Sequence, residues 1–207
     1  MNYDSIIFDL DGTLWDSTET SASAWRRICL KYPDMTDEIT ADKLRQLFGR
    51  PLRDIGIALF QSVSKERAIE IVDECCKQQG SYIAQEGGIL YPELKETLEL
   101  LSQKYKLFIV SNCEDGYIES FFAAHGLQQY FEDYECPGRT RKLKADNIRL
   151  IMDRNQLKTP VYVGDTQGDA NAAKEAGVPF IFADYGFGTV DEYVDIIHSF
   201  GDLKKYL

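Results

Sequence analysis

Three short runs in the chain carry almost no position that could face water: SIIF at residues 5–8, LFIV at 107–110 and VYV at 161–163. An amphipathic helix would repeat its apolar positions every three to four residues, and a half-exposed strand every second one. Continuous Val/Ile/Phe-rich runs bounded by turn residues instead predict parallel strands covered on both faces. PFIFA at 179–183 predicts a fourth strand and residues 193–197 a weaker fifth.

Helical spacing fills the gaps between the later strands. Residues 92–104 begin on Pro92 and repeat Leu94, Leu98 and Leu101 on one face, and residues 115–125 stop at Gly126. Residues 145–154 end near Asn155, and 168–176 end at Gly177. Strand and helix alternate from about Pro92 onward, so the fold class expected is α/β, a doubly wound, Rossmann-like parallel sheet.

The stretch 17–88 breaks that alternation. It shows helical patterns at 20–31, 40–48 and 64–80 and no strand pattern, and roughly seventy residues is longer than an ordinary crossover. The expected organisation is therefore a catalytic core from residues 1–16 and 89–207, with 17–88 inserted as an α-helical cap. Gly87-Gly88 would form one hinge and the residues after Asp16 the other.

At 207 residues, 44% hydrophobic and 28% charged, the chain has ample material for such a core. A net charge of −11 repels nucleic acid and anionic membrane surfaces, so an anionic substrate must meet a local cation or a metal. Five cysteines without a C-x-x-C pair suggest neither a disulfide framework nor a zinc site, and fit a cytoplasmic protein. No signal peptide and no run of ~18 apolar residues is legible, so neither export nor membrane insertion is expected.

Three of the predicted strands end on polar clusters: FDLDGT with Asp9, Asp11 and Thr13, FIVSN with Ser111 and Asn112, and VYVGDTQGD with Asp165, Thr166 and Asp169. In an open parallel sheet the carboxyl ends of neighbouring strands face one crevice, the usual ligand site. Two carboxylates about 5 Å apart repel by roughly 3 kcal/mol at an effective dielectric near 20, so the four aspartates must protonate or gather round a cation. Hard oxygen donors without His or Cys select Mg²⁺.

That set suits phosphoryl transfer. One carboxylate can attack phosphorus, a second can protonate the leaving oxygen and then activate water, and a lysine, a serine hydroxyl and a cation neutralise the dianion. Asp9, Asp11, Ser111, a lysine near Lys144 and Asp165 supply one of each. In isolation, Asp9 and Asp11 could close an Asx-turn, Ser111 could cap a helix, and Asp169 could sit at the positive end of the helix it opens.

D-x-D-G-T at 9–13, a strand ending in Ser111-Asn112, the lysine of KLKADNI at 142–148 and G-D-x-x-x-D at 164–169 occur in the order of the four motifs of the haloacid dehalogenase superfamily. The chain resembles that superfamily over nearly its whole length, with the helical insertion similar to a C1 cap. The resemblance implies Asp9 as nucleophile and metal ligand and Asp11 as acid/base with its carbonyl on the metal. It implies Asp165 as a further ligand, and Asp169 as a support for the metal. Gly12, Thr13, Ser111, Asn112 and Lys144 would bind phosphate, with Lys142 as the alternative lysine.

Asp11 argues against the dehalogenases and phosphonatases of the superfamily, which lack a carboxylate there, and Gly164-Asp165 looks phosphatase-like. The expected activity is a Mg²⁺-dependent phosphomonoester hydrolase of a small metabolite, resembling phosphoglycolate phosphatases, as a monomer or homodimer. The rivals are a β-phosphoglucomutase-type phosphomutase and, from another class, a phospho-signalling or non-catalytic module on the same fold. In FGRPL at 48–52, Arg50 is expected to reach a distal anionic group of the substrate, whereas Trp15, Trp25, His125 and His198 are expected to be structural or exposed.

Overall fold

In the computed structural model, which describes residues 3–207, the chain builds two bodies: a parallel sheet flanked by helices and a group of four helices. Met1 and Asn2, which open the expected core segment, lie outside the described residues. In chain order come β1 (Ser5–Phe8), β2 (Trp15–Asp16), α1 (Thr18–Cys29), α2 (Ala41–Arg45), α3 (Leu52–Leu59), α4 (Lys65–Glu86) and β3 (Ile89–Leu90). Then follow α5 (Leu94–Ser102), β4 (Lys106–Val110), α6 (Tyr117–His125), β5 (Asp133–Glu135), α7 (Pro137–Thr140) and α8 (Lys144–Asn155). The chain closes with β6 (Pro160–Gly164), α9 (Gln167–Ala176), β7 (Phe180–Ala183), β8 (Asp195–Ile197) and a 3₁₀ helix, Phe200–Tyr206.

The main sheet runs β5-β4-β1-β6-β7-β8, and every neighbouring pair is parallel. Side chains alternate between two cores. Ile6, Phe8, Leu107, Ile109, Val161, Val163 and Ile181 pack on the α5/α6 side, while Ile7, Phe108, Val110, Tyr162, Phe180 and Phe182 pack against α8 and α9. Both faces are therefore buried, which is why these strands read as continuous apolar runs. From β1 the chain builds one side of the sheet through β4 and β5, then crosses to the other side at β6. β1 thus marks the topological switch, and a crevice opens above its carboxyl end.

The helical body, α1 to α4, has a core of its own around Trp25, Ile55, Phe60, Ile71 and Val72. Chain passes into and out of it as a two-residue antiparallel ribbon, with Trp15 opposite Leu90 and Asp16 opposite Ile89. His125 at the end of α6 supports this crossing: its Nε2 accepts the Gly88 N–H at 3.4 Å, and its ring packs edge-on against Trp15 at 5.5 Å.

Several elements differ from the sequence reading. Helix α3 follows directly on Pro51, and it holds Gly56 where α3 crosses α4 so closely that a Cβ would fall 2.5 Å from Val72 Cγ1. A glycine in mid-helix erases the periodicity by which a helix is recognised. Strand β5 is a short polar edge, and β2 and β3 are too short to carry a pattern. Pro92 lies outside α5, because Glu93 takes a left-handed conformation and the helix starts at Leu94.

Candidate active site

Asp9 follows the last residue of β1, Ser111 follows β4, and Asp165 follows β6, so the three adjacent strands deliver their end residues to one place. Carboxylate oxygens of Asp9, Asp165 and Asp169 lie within 4.8 Å of one another, all buried. Lys144, first residue of α8 and itself buried, donates from Nζ to Asp9 Oδ1 at 2.7 Å and to Asp169 Oδ1 at 2.6 Å. Lys142 is exposed, so the structure brings Lys144 and not Lys142 to the carboxylates.

Local chemistry fixes each group. Thr166 caps α9 and forms a reciprocal pair with Asp169, whose Oδ2 accepts from the Thr166 N–H at 3.0 Å and hydroxyl at 2.6 Å. Asp165 accepts the Thr13 hydroxyl at 3.2 Å and the Phe187 N–H at 2.8 Å. Gly12 is left-handed, at φ +85°, and a Cβ there would fall 2.1 Å from Asp165 Oδ2. Only glycine serves both demands.

Three carboxylates and one ammonium leave a formal charge of −2 (−3 + 1) in a buried site. Burial, then the Asp169 charge, push Asp9 up to about 7 against the pull of Lys144. Burial and the charges of Asp169 and Asp9 hold Asp165 well above the carboxylate range. Lys144 stays charged because Asp169 and Asp9 outweigh its burial. An all-oxygen donor set with two uncompensated negative charges fits a hard divalent cation.

Asp11 is turned away from this trio. Its Oδ1 accepts the Ser17 hydroxyl at 2.5 Å and the Tyr117 hydroxyl at 3.0 Å, and burial raises it to about 6 although both hydrogen bonds act downward. Ser111 is buried and caps no helix, since α6 starts only after Gly116. Asn112 reaches across to the helical body, its Nδ2 donating to the Gly49 carbonyl at 2.9 Å.

A cavity of about 30 Å³ lies between sheet and helical body, bounded by Asp9, Asp11 and Ser111 below and by Trp25, Phe48, Leu52 and Ile55 above. Arg50 lies outside the inner cavity. It is exposed and lines the outer groove with Thr166 and Gly188, because Pro51 opens α3 and leaves the Gly49 backbone and Leu52 facing the cavity. Arg45 lines the same groove, with its guanidinium on Asp16 at 2.9 Å.

The sequence profile of the haloacid dehalogenase-like hydrolases matches residues 6–183. The chain belongs to this family. Among haloacid dehalogenase-like relatives, a phosphoglycolate phosphatase of Vibrio parahaemolyticus serotype O3:K6 (strain RIMD 2210633) is 30% identical over 196 residues, 88% of this chain and 84% of the relative. A solved haloacid dehalogenase-like hydrolase of Bacteroides fragilis superposes with a TM-score of 0.83 at 25% identity, covering 98% of this chain and all of its own. Another from Streptococcus pneumoniae has the same fold, with a TM-score of 0.84 at 23% identity and coverage of 99% and 98%.

Sequence reasoning missed Ser17, Tyr117, Gln79, Glu114 and Phe187. Ser17 and Tyr117 come from segments a hundred residues apart and meet only because the crossing ribbon packs on α6. A legible signal existed for Phe187: the glycine-rich run DYGFGT at 184–189 follows β7 at the same sheet edge. No helix among the described residues is long and apolar enough to cross a membrane.

Proposed function

We propose that this haloacid dehalogenase-like hydrolase is a phosphatase that cleaves the monoester of a small alcohol, with Asp9 as nucleophile and residues 17–88 as its cap. The observation that carries the reading is the buried trio of Asp9, Asp165 and Asp169 with its single lysine, at the end of the switch strand. The named function of the Vibrio relative supports it.

Asp9 attacks phosphorus through a carboxylate oxygen while the ester P–O bond breaks, and the departing alkoxide takes a proton from Asp11. Water then attacks the aspartyl-phosphate, giving a proton to Asp11 as the bond from phosphorus to Asp9 breaks. Lys144 neutralises the transferring oxygens, and Ser111 with the Asn112 N–H holds them. Asp9, Asp165 and Asp169, with the Asp11 carbonyl, would hold Mg²⁺, which supplies charge neutralisation of the phosphoryl group. The helical body over the cavity excludes water from the phosphoenzyme.

Phosphate release from p-nitrophenyl phosphate, with and without excess chelator and with Asp9→Asn as the blank, tests this reading. Release that needs both a divalent cation and Asp9 supports it. Release that is indifferent to either removes it.

A further inference from the structure

The cavity above Asp9 carries a second set of groups that the phosphoryl chemistry leaves unused. Gln79, on α4, is only 5% exposed. The Trp25 indole N–H donates to its Oε1 at 2.7 Å, which fixes the amide orientation. Its donor, Nε2, makes no hydrogen bond to the described residues and is not sealed from solvent, and Gln79 lines the cavity. Glu114, half-buried, lines the same cavity, and its carboxylate has neither an ion pair nor a hydrogen bond among the described residues. Trp25, Phe48, Leu52 and Ile55 complete the wall with apolar surface.

Among the described residues lining this cavity there is no lysine, arginine or histidine. Lys144 is held between Asp9 and Asp169. Arg45 is held by Asp16 and Asp42, and both Arg45 and Arg50 line the outer groove instead. A carboxylate on the leaving alcohol would therefore find neutral donors such as the Gln79 amide but no cation, beside apolar carbon and the like charge of Glu114. Desolvating an anion without a counter-charge is costly, and a like charge nearby makes it more so. A hydroxyl suits both polar groups of the wall, since it can accept from Gln79 Nε2 or donate to Glu114. The cavity, about 30 Å³, is two to three times the ~10–15 Å³ that a single water needs on the same measure, which favours a leaving group of few atoms.

We propose that the leaving alcohol this pocket takes is short, hydroxylated and free of negative charge, with Gln79 and Glu114 as its specificity-determining residues. The proposal rests on the phosphatase reading above and departs from the substrate in the names of the Vibrio relatives.

The test compares two nearly isosteric esters, 2-hydroxyethyl phosphate and 2-phosphoglycolate, which differ in a hydroxymethyl against a carboxylate. Steady-state phosphate release by the full chain with Mg²⁺ should give a kcat/KM for 2-hydroxyethyl phosphate at least about tenfold the higher of the two. Glu114→Gln should shrink that ratio by at least about threefold by raising turnover of phosphoglycolate, and Gln79→Leu should shrink it by lowering turnover of the hydroxyethyl ester. Merely structural roles would scale both esters together and leave the ratio unmoved. Equal or better turnover of phosphoglycolate, or a ratio that neither variant moves, overturns the proposal. Release from p-nitrophenyl phosphate but from neither ester also overturns the substrate class alone. No release from any of the three overturns the phosphatase reading itself.

Discussion

Tyr117 donates its phenolic hydrogen to Asp11 Oδ1 over 3.0 Å, in a buried contact that joins α6 to the D-x-D-G-T loop. Ser17 completes it with a hydroxyl 2.5 Å from the same oxygen and 2.7 Å from the Tyr117 hydroxyl. Both bonds favour the ionised form and oppose the burial that raises Asp11 to about 6. Tyr117→Phe removes one of them, so the Asp11 carboxyl should hold its proton to higher pH. In the proposed mechanism Asp11 must be protonated to serve the leaving alcohol. The descending limb of kcat/KM against pH should move upward in Y117F, and kcat should fall about tenfold because the carboxyl is less well oriented. A pH–rate profile of both proteins checks this; a limb that stays in place or moves downward contradicts it.

Lys144 bridges two buried carboxylates, at 2.7 Å from Asp9 and 2.6 Å from Asp169, as the sole cation there among the described residues. Lys144→Ala strips that compensation, and in chelator the variant should lose about 3–5 kcal/mol of stability. Its kcat/KM should drop at least about a hundredfold, since in the proposed mechanism the lysine also meets the transferring phosphoryl group. Lys142→Ala, on an exposed side chain, should do neither. Thermal melts and initial rates of the two variants side by side decide between the lysines.

At Gly12 both backbone and space forbid a side chain. Gly12→Ala forces a Cβ to within 2.1 Å of Asp165 Oδ2 at φ +85°, so Asp165 must move and the left-handed backbone costs a further ~1 kcal/mol or more. The wild-type melting temperature should rise on adding Mg²⁺, because ligand binding stabilises the folded state. That rise should be lost in G12A even where the variant is folded.

Asn112 links the sheet to the helical body through one hydrogen bond, from Nδ2 to the Gly49 carbonyl at 2.9 Å. Asn112→Ala should weaken closure by about 1 kcal/mol and raise KM roughly fivefold, with a smaller change in kcat. Steady-state kinetics on 2-hydroxyethyl phosphate measure the split.

How much of this was legible in the sequence follows from what periodicity can carry. Strands β1, β4, β6 and β7 sit between two cores, so their apolar runs announced them, and Asp9, Ser111 and Asp165 stood at their ends. Strand β5 pairs only with β4 at the sheet edge, and its residues Asp133, Tyr134 and Glu135 have no apolar pattern to display. The groups that surround the cavity depend on how α4 and α6 pack over the sheet, which no local pattern encodes. Gln79 lies within a polar stretch of the predicted 64–80 helix and carries no signal of its own, although it is buried and bonded to Trp25. Arg50 is expected to contact substrate because similar proteins carry a specificity loop at this helix break; Pro51 sets the turn that places it in the outer groove.

The most direct test of the covalent role of Asp9 is acid quenching during turnover of a phosphate ester, followed by peptide mass mapping. The predicted result is one phosphoryl group on the peptide that carries Asp9, absent when Asp9→Asn is treated alike. Turnover at an undiminished rate by Asp9→Asn, or a phosphoryl group trapped on another residue, would contradict the account.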